Sequence, residues 1–354
     1  MGLAIGQGLF LAKGSNMNPL ALLHNEREEI ANQCDTEMLE LVLNKGTFHI
    51  TFNYDWVDSI INAAMKSDQL GVLKWLKKRN FFEYPYFKRV LFIEAARGGN
   101  LGMITWAKDI AGFSFQDESH FINAAAESGN IELVKYLRSE DISWNESTFG
   151  AAVSSGNIAI LQYLIENDCP HDDQRICANA VEIHDCEKAL EVLHWLHNQN
   201  ISWDENTCIT SARIGNLKAL KFARSKGCPW DKNCLIKAIK NHHYEVVEYC
   251  LQNRCSMGNS DICHYAMDYN NDHDQALRIL KLLRKFSAPW GEHTCSMAAS
   301  TGNFHALKWA VSNGCAINRQ DCASDAAWHG KIEALKWIKA QGVVFNEKIA
   351  TKAA

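Results

Sequence analysis

The chain has 354 residues, of which 47% are hydrophobic and only five are proline, and it carries a formal net charge of −5. That composition leaves no room for long disordered stretches. The mildly acidic balance also argues against a general nucleic-acid binder, which would carry a basic stripe.

The first twelve residues are apolar and glycine-rich, but they lack a basic leader region and are too short to span a bilayer. Met1-Gly2 invites myristoylation, yet Gly6 stands where Ser or Thr is preferred. Residues 1–24 are therefore expected to be a loosely structured lead. Asn18-Pro19-Leu20-Ala21-Leu22 is a poor match to an F-box-like adaptor start. Residues 26–46 read as a worn first repeat, with Met38–Leu43 in its second helix.

From there the chain repeats itself. Gly-Asn recurs at 99–100, 129–130, 156–157, 215–216 and 302–303. Ahead of it stands a small pair such as Ala95-Ala96, Ala125-Ala126 or Ala298-Ala299, and behind it an apolar stripe with an aromatic, such as Leu133-Val134-Lys135-Tyr136-Leu137. Asn130 to Asn157 and Asn216 to His243 are steps of 27 residues, and Asn303 to Lys331 is a step of 28. Polar inserts around His184-Asp185-Cys186 and Asp272-His273-Asp274 lengthen two steps. A fixed period of this kind is the signature of a repeat array.

Each unit predicts two short helices. Asn145, Asp204 and Asp231 are N-cap residues for the first. Gly suits the left-handed residue that ends it, Asn caps the second, and the stripe at i, i+3, i+4 is buried. Such a hairpin cannot bury its apolar face alone, so stacking on neighbours is obligatory. Overpacking Ala125 or Ala298 with Leu is expected to cost roughly 1–3 kcal/mol.

Ala125 to Leu137 resembles the core of the ankyrin repeat, and Gly314-Cys315-Ala316-Ile317-Asn318 looks like that family's Gly-Ala-Asp-Val-Asn segment. The variant Cys228-Pro229-Trp230-Asp231 is similar to the divergent ankyrin arrays of protists and large DNA viruses. The resemblance implies an all-α, ankyrin-like helical-hairpin solenoid with shortened or absent β-hairpin fingers. It covers residues 25–354 as about ten to eleven units, ends in a lone capping helix after Phe345, and shows no internal linker. The Thr-Pro-Leu-His helix start is absent, and the period is about six residues short of the usual 33. The binding surface that the family builds on its fingers therefore does not carry over directly.

Thirteen cysteines, an odd number with no Cys-x-x-Cys pair, point to a reducing compartment, hence the cytoplasm, or the host's if the chain is viral. Cys169, Cys228, Cys255 and Cys315 share one repeat slot, and Cys208 and Cys295 share another, too far apart along an array for disulfides. The two His/Asp inserts lie three repeats apart and cannot share a metal ion. His194 and His197, one helical turn apart beside Trp195, read as surface. No nucleophile elbow, phosphate loop or His-Glu-x-x-His is present. The expectation is no enzyme, no cofactor, no metal and no small-molecule ligand.

One stretch stands apart. Phe81, Phe82, Tyr84, Tyr86 and Phe87 form an aromatic run beside Lys77-Lys78-Arg79 and Lys88-Arg89. One of Phe81 and Phe82 would fill the slot held elsewhere by Trp144, Trp203, Trp230 and Trp290, and the remaining rings are candidate partner contacts. The recurrent tryptophans are expected to wedge between successive repeats. The functional expectation is a non-catalytic protein–protein interaction scaffold, with a protein partner and neither nucleic acid nor membrane. Alternatives are a substrate-recruiting adaptor arm of a ubiquitin ligase or viral host-modulating assembly, and a structural component.

Overall fold

In the computed structural model, the described residues are 54–66, 69–111, 119–171, 175–258, 260–267 and 272–344. The expected lead at 1–24, the worn repeat at 26–46 and the capping helix after residue 344 lie outside them. The chain divides into two compact units, Met1–His171 and Asp172–Ala354.

The described residues of the first unit form four helical hairpins: α1 (Tyr54–Lys66) with α2 (Leu70–Lys78), α3 (Pro85–Arg97) with α4 (Leu101–Ala111), α5 (Ser119–Ser128) with α6 (Ile131–Ser139), and α7 (Glu146–Ser155) with α8 (Ile158–Glu166). A 3₁₀ turn, Phe81–Glu83, joins α2 to α3. The described residues of the second unit form six. Five are α9 (Ile176–Val181) with α10 (Cys186–Asn198), α11 (Glu205–Ile214) with α12 (Leu217–Ser225), α13 (Lys232–Lys240) with α14 (Tyr244–Gln252), α16 (Glu292–Thr301) with α17 (Phe304–Ser312), and α18 (Arg319–Trp328) with α19 (Ile332–Ala340). In the remaining one, a 3₁₀ segment, Cys263–Met267, takes the place of the first helix and pairs with α15 (His273–Lys285).

Within each unit first helices stack on first helices, as α1, α3, α5 and α7 do, or α11 and α13. Second helices form a looser parallel layer. The small pairs explain the closer approach: Ala95, Ala96, Ala125, Ala126, Ala298 and Ala299 are all fully buried. Leu133, Val134 and Leu137 close the other side of their hairpin at zero exposure, each worth about 1.5–3 kcal/mol of gross burial.

Local chemistry sets the boundaries. Asn145 caps α7 by accepting from the Ser147 amide at 3.0 Å, while the Thr148 hydroxyl accepts from the Asn145 amide at 3.1 Å. Asp204 and Asp231 cap α11 and α13 by accepting from the amides of Thr207 and Asn233. Gly291 has no side chain to cap α16, and Asp261 from the preceding hairpin supplies one, accepting from the Thr294 amide at 3.0 Å and its hydroxyl at 2.7 Å. Among the described residues all regular structure is helical, so no finger strand occurs there, and no helix is long and apolar enough to cross a membrane.

Candidate interaction surfaces

The Gly-Asn turn does more than end one helix and start another. Asn130 Oδ1 accepts from the amides of Glu132 and Leu133, while its Nδ2 donates to the Gly99 carbonyl of the preceding hairpin at 2.7 Å. Asn157 repeats the bond to Gly129 at 2.8 Å, and Asn303 makes it to His273 at 3.0 Å. His243, which replaces Asn, reaches the Arg213 carbonyl through Nε2 at 3.0 Å. One side chain thus caps its own helix and ties it to the hairpin before.

The cysteine slot is equally structural. Cys228, Cys255 and Cys315 donate to the carbonyls of Asp204, Asp231 and Gly291 at 3.1, 3.2 and 3.2 Å, each 24 residues upstream, and Cys169 does so to Asn145 at 3.7 Å. Equivalent slots lie one repeat or more apart, too far for a disulfide. Different slots do meet: Cys208 Sγ lies 3.4 Å from Cys228 Sγ, and Cys234 lies 3.9 Å from Cys250. All four are buried free thiols. Donation to Cys228 and then burial push the Cys208 thiol up from its ordinary value. Burial first, and then nearby acidic groups, push Cys177, Cys263 and Cys322 each up to about 12, so these remain neutral thiols.

The loop tryptophans sit in a recurrent clamp. Arg138, Arg224 and Arg284 lie 4.0, 4.4 and 4.1 Å from the ring centroids of Trp144, Trp230 and Trp290. Each tryptophan also packs edge-on against the second helix of the next hairpin: Trp144 on Tyr163, Trp203 on Phe222, Trp230 on Tyr249 and Trp290 on Trp309. His197 replaces the arginine at Trp203, and His194 stacks on Phe222 at 3.8 Å. Asp185 and Asp272, from the two polar inserts, cap α10 and α15. Among the described residues no group of three or more His, Cys, Asp or Glu converges as metal ligands would.

The aromatic run divides. Phe87 is fully buried at the start of α3, and Phe81, Tyr84 and Tyr86 pack edge-on around it at 6.1, 6.1 and 5.4 Å. Phe82 is 4% exposed. Phe82 and Phe87 therefore belong to the core, Phe82 turned inward by the 3₁₀ turn and Phe87 by the first turn of α3. Tyr84 and Tyr86 keep 43% and 47% of their surface, beside exposed Pro85. The Tyr86 hydroxyl donates to Asp58 on α1 at 2.5 Å. Counting also corrects the slot assignment. Trp144, Trp203, Trp230 and Trp290 each stand three residues beyond a left-handed residue, Asp141, Asn200, Gly227 and Ser287. From left-handed Asn80 the same count falls on Glu83, so neither phenylalanine takes the tryptophan slot.

Sequence reasoning missed Trp328 and Ile332, exposed at 67% and 61% where α18 turns into α19. Aligning the repeats would have found the first. Four residues before the second helix, other hairpins carry Arg97, Ser154, Arg213 and Lys240.

No protein-family model and no curated protein matches the chain. Among solved structures it is similar to the pentatricopeptide repeat protein PPR10 from maize, at 15% identity and a TM-score of 0.36, covering 99% of this chain and 55% of that one. It is also similar to PPR10 in complex with an 18-nt psaJ RNA element, at 12% identity and a TM-score of 0.32, covering 98% of this chain and 65% of that one. The chain thus spans a little over half to about two-thirds of the chains it matches. The likeness lies in helical repetition alone. It corrects one expectation nonetheless: a similar helical-repeat chain was solved holding RNA, so the exclusion of a nucleic-acid partner is withdrawn.

Proposed function

We propose that the chain is a non-catalytic, ankyrin-type interaction scaffold that holds a protein partner on the exposed residues its repeat does not use. The observation that carries this reading is a division of labour. Asn130, Asn157, Asn303, the slot cysteines and the loop tryptophans are spent on contacts between neighbouring hairpins, whereas Tyr84 and Tyr86 stay more than two-fifths exposed on a buried Phe87 base. Rigid aromatic rings held on a packed base suit the centre of a protein interface, since little conformational entropy is lost when they are covered. Exposed Lys78 and Arg89 near the same connection supply a polar rim. The described cysteines are all free thiols, which fits a reducing compartment.

The test is a photo-crosslinking amino acid placed at Tyr84 in the native cell, compared with one at Tyr163, which is stacked on Trp144. The scaffold reading expects a discrete protein adduct from position 84 and none from 163. Equal labelling at both positions, or an adduct to nucleic acid alone, would sink it.

A further inference from the structure

We propose that the exposed face of α15, α17 and α19 docks an extended acidic protein segment with a carboxylate at every third residue. The proposal rests on the protein-scaffold reading but uses a surface separate from Tyr84 and Tyr86. Lys281, Lys308 and Lys336 occupy one position of the repeat, 27 and 28 residues apart, and all three are exposed. The geometry of this position recurs within the second unit: Lys221 lies 5.7 Å from the Tyr249 ring, and Lys281 lies 5.9 Å from the Trp309 ring. Each of these lysines therefore leans along the stack, toward the second helix of the hairpin that follows.

Charge is segregated across these hairpins. The three second helices carry seven Lys and Arg against two acids, Asp274 and Glu333. The first helices α16 and α18 carry one, Arg319, against Glu292, Asp321 and Asp325. Arg278, Lys285 and Lys339 flank the row, and one hairpin earlier its position is held by Glu248, where the row stops. Lys336 pairs with Glu333 at 3.0 Å, but both side chains are about 70% exposed at 68% and 73%. Such a pair is weak enough to be exchanged for a partner's carboxylate.

The spacing selects the occupant. α15 packs on α17 and α17 on α19, and packed helices lie roughly 8–10 Å apart. A chain in the extended polyproline II form rises about 3.1 Å per residue with three residues per turn, so every third side chain points the same way and three residues match one hairpin. Carboxylates at i, i+3 and i+6 would then meet Lys281, Lys308 and Lys336 in turn. The intervening side chains would face the half-buried rings of Trp309 and Trp337.

The experiment is fluorescence anisotropy on the full chain at low ionic strength, where exposed charges are least screened. The probes are a labelled (Glu-Ser-Thr)4 peptide, a peptide of the same composition with its four glutamates consecutive, and a single-stranded oligouridylate of the same length. The spaced peptide should bind about tenfold tighter than the blocked one. The variant K281E/K308E/K336E should lose about tenfold or more, as three exposed ion pairs allow, with an unchanged thermal melt. Equal affinity for the two peptides, tighter binding of the oligouridylate, or indifference to charge reversal would overturn the proposal. If all probes fail while the Tyr84 crosslink persists, only the lysine row is refuted, and the scaffold reading stands.

Discussion

Asn130 Nδ2 donates to the Gly99 carbonyl at 2.7 Å, across the boundary between two hairpins, while Oδ1 of the same side chain caps α6. The two jobs can be separated. Asn130→Asp keeps the capping oxygen but faces the Gly99 carbonyl with a second one, whereas Asn130→Ala loses both functions. Loss of a cap costs about 1 kcal/mol, and an unmet carbonyl at half-buried Gly99 adds up to about 1 kcal/mol. Urea unfolding should place both variants below wild type. An Asn130→Asp protein as stable as wild type would show that the inter-hairpin bond contributes nothing.

Gly215 should be less replaceable than Gly314. Both are left-handed, at φ +80° and +86°, so alanine costs roughly 1–2 kcal/mol of backbone strain at either. At 215, however, a Cβ would lie 2.6 Å from the His243 ring, while at 314 it would meet nothing within 4 Å. Gly215→Ala should be the worse by roughly a further 1–3 kcal/mol. The excess should shrink in a His243→Ala background, as a double-mutant cycle would measure. Equal losses at the two sites would contradict the packing described.

This pairing also marks how far the sequence could be read. The hairpins, the left-handed glycines and the caps at Asn145, Asp204 and Asp231 were legible because backbone geometry restricts those positions to few residue types. The bond from Asn130 to Gly99 was not, since it crosses about thirty residues and depends on how one hairpin settles on the last. Nor was the cap that Asp261 lends to α16, or the contact of Cys208 with Cys228. Of the candidate contact residues, composition singled out the aromatic run. Only the fold separates buried Phe82 and Phe87 from exposed Tyr84 and Tyr86, because the deciding features are the 3₁₀ turn at Phe81–Glu83 and the phase in which α3 begins after it.

Thiol accessibility should be sharply selective. Among the described cysteines only Cys186 is exposed, at the start of α10. In a Cys34→Ser background, one thiol should react rapidly with an aromatic disulfide reagent at neutral pH, and Cys186→Ser should abolish that phase. The remaining eleven should react only as the chain unfolds. Rapid modification of Cys208 or Cys228 in the native protein would contradict their burial.

The tie between α4 and α6 should weaken in acid. Lys108 donates to Glu140, and this hydrogen bond lowers the Glu140 carboxyl from its ordinary 4.5. Because the folded value is the lower, the stabilisation is present above the unfolded value and is lost as pH falls through the folded one. The stability difference between wild type and Glu140→Gln should therefore be constant near neutrality and vanish below the carboxylate range. A difference that persists at low pH would show that the glutamine variant fails for another reason.

The central claim is that recurrent residues hold the hairpins together while non-recurrent exposed aromatics hold the partner. Quantitative mass spectrometry of proteins co-purified from the native cell tests it most directly, comparing wild type with Tyr84→Ser/Tyr86→Ser. The prediction is loss of a discrete set of protein partners from a chain that still folds, its thermal melt lowered only by the lost ring contacts on Phe87 and the lost Tyr86–Asp58 bond. Undiminished recovery of every partner by the doubly substituted chain would contradict it.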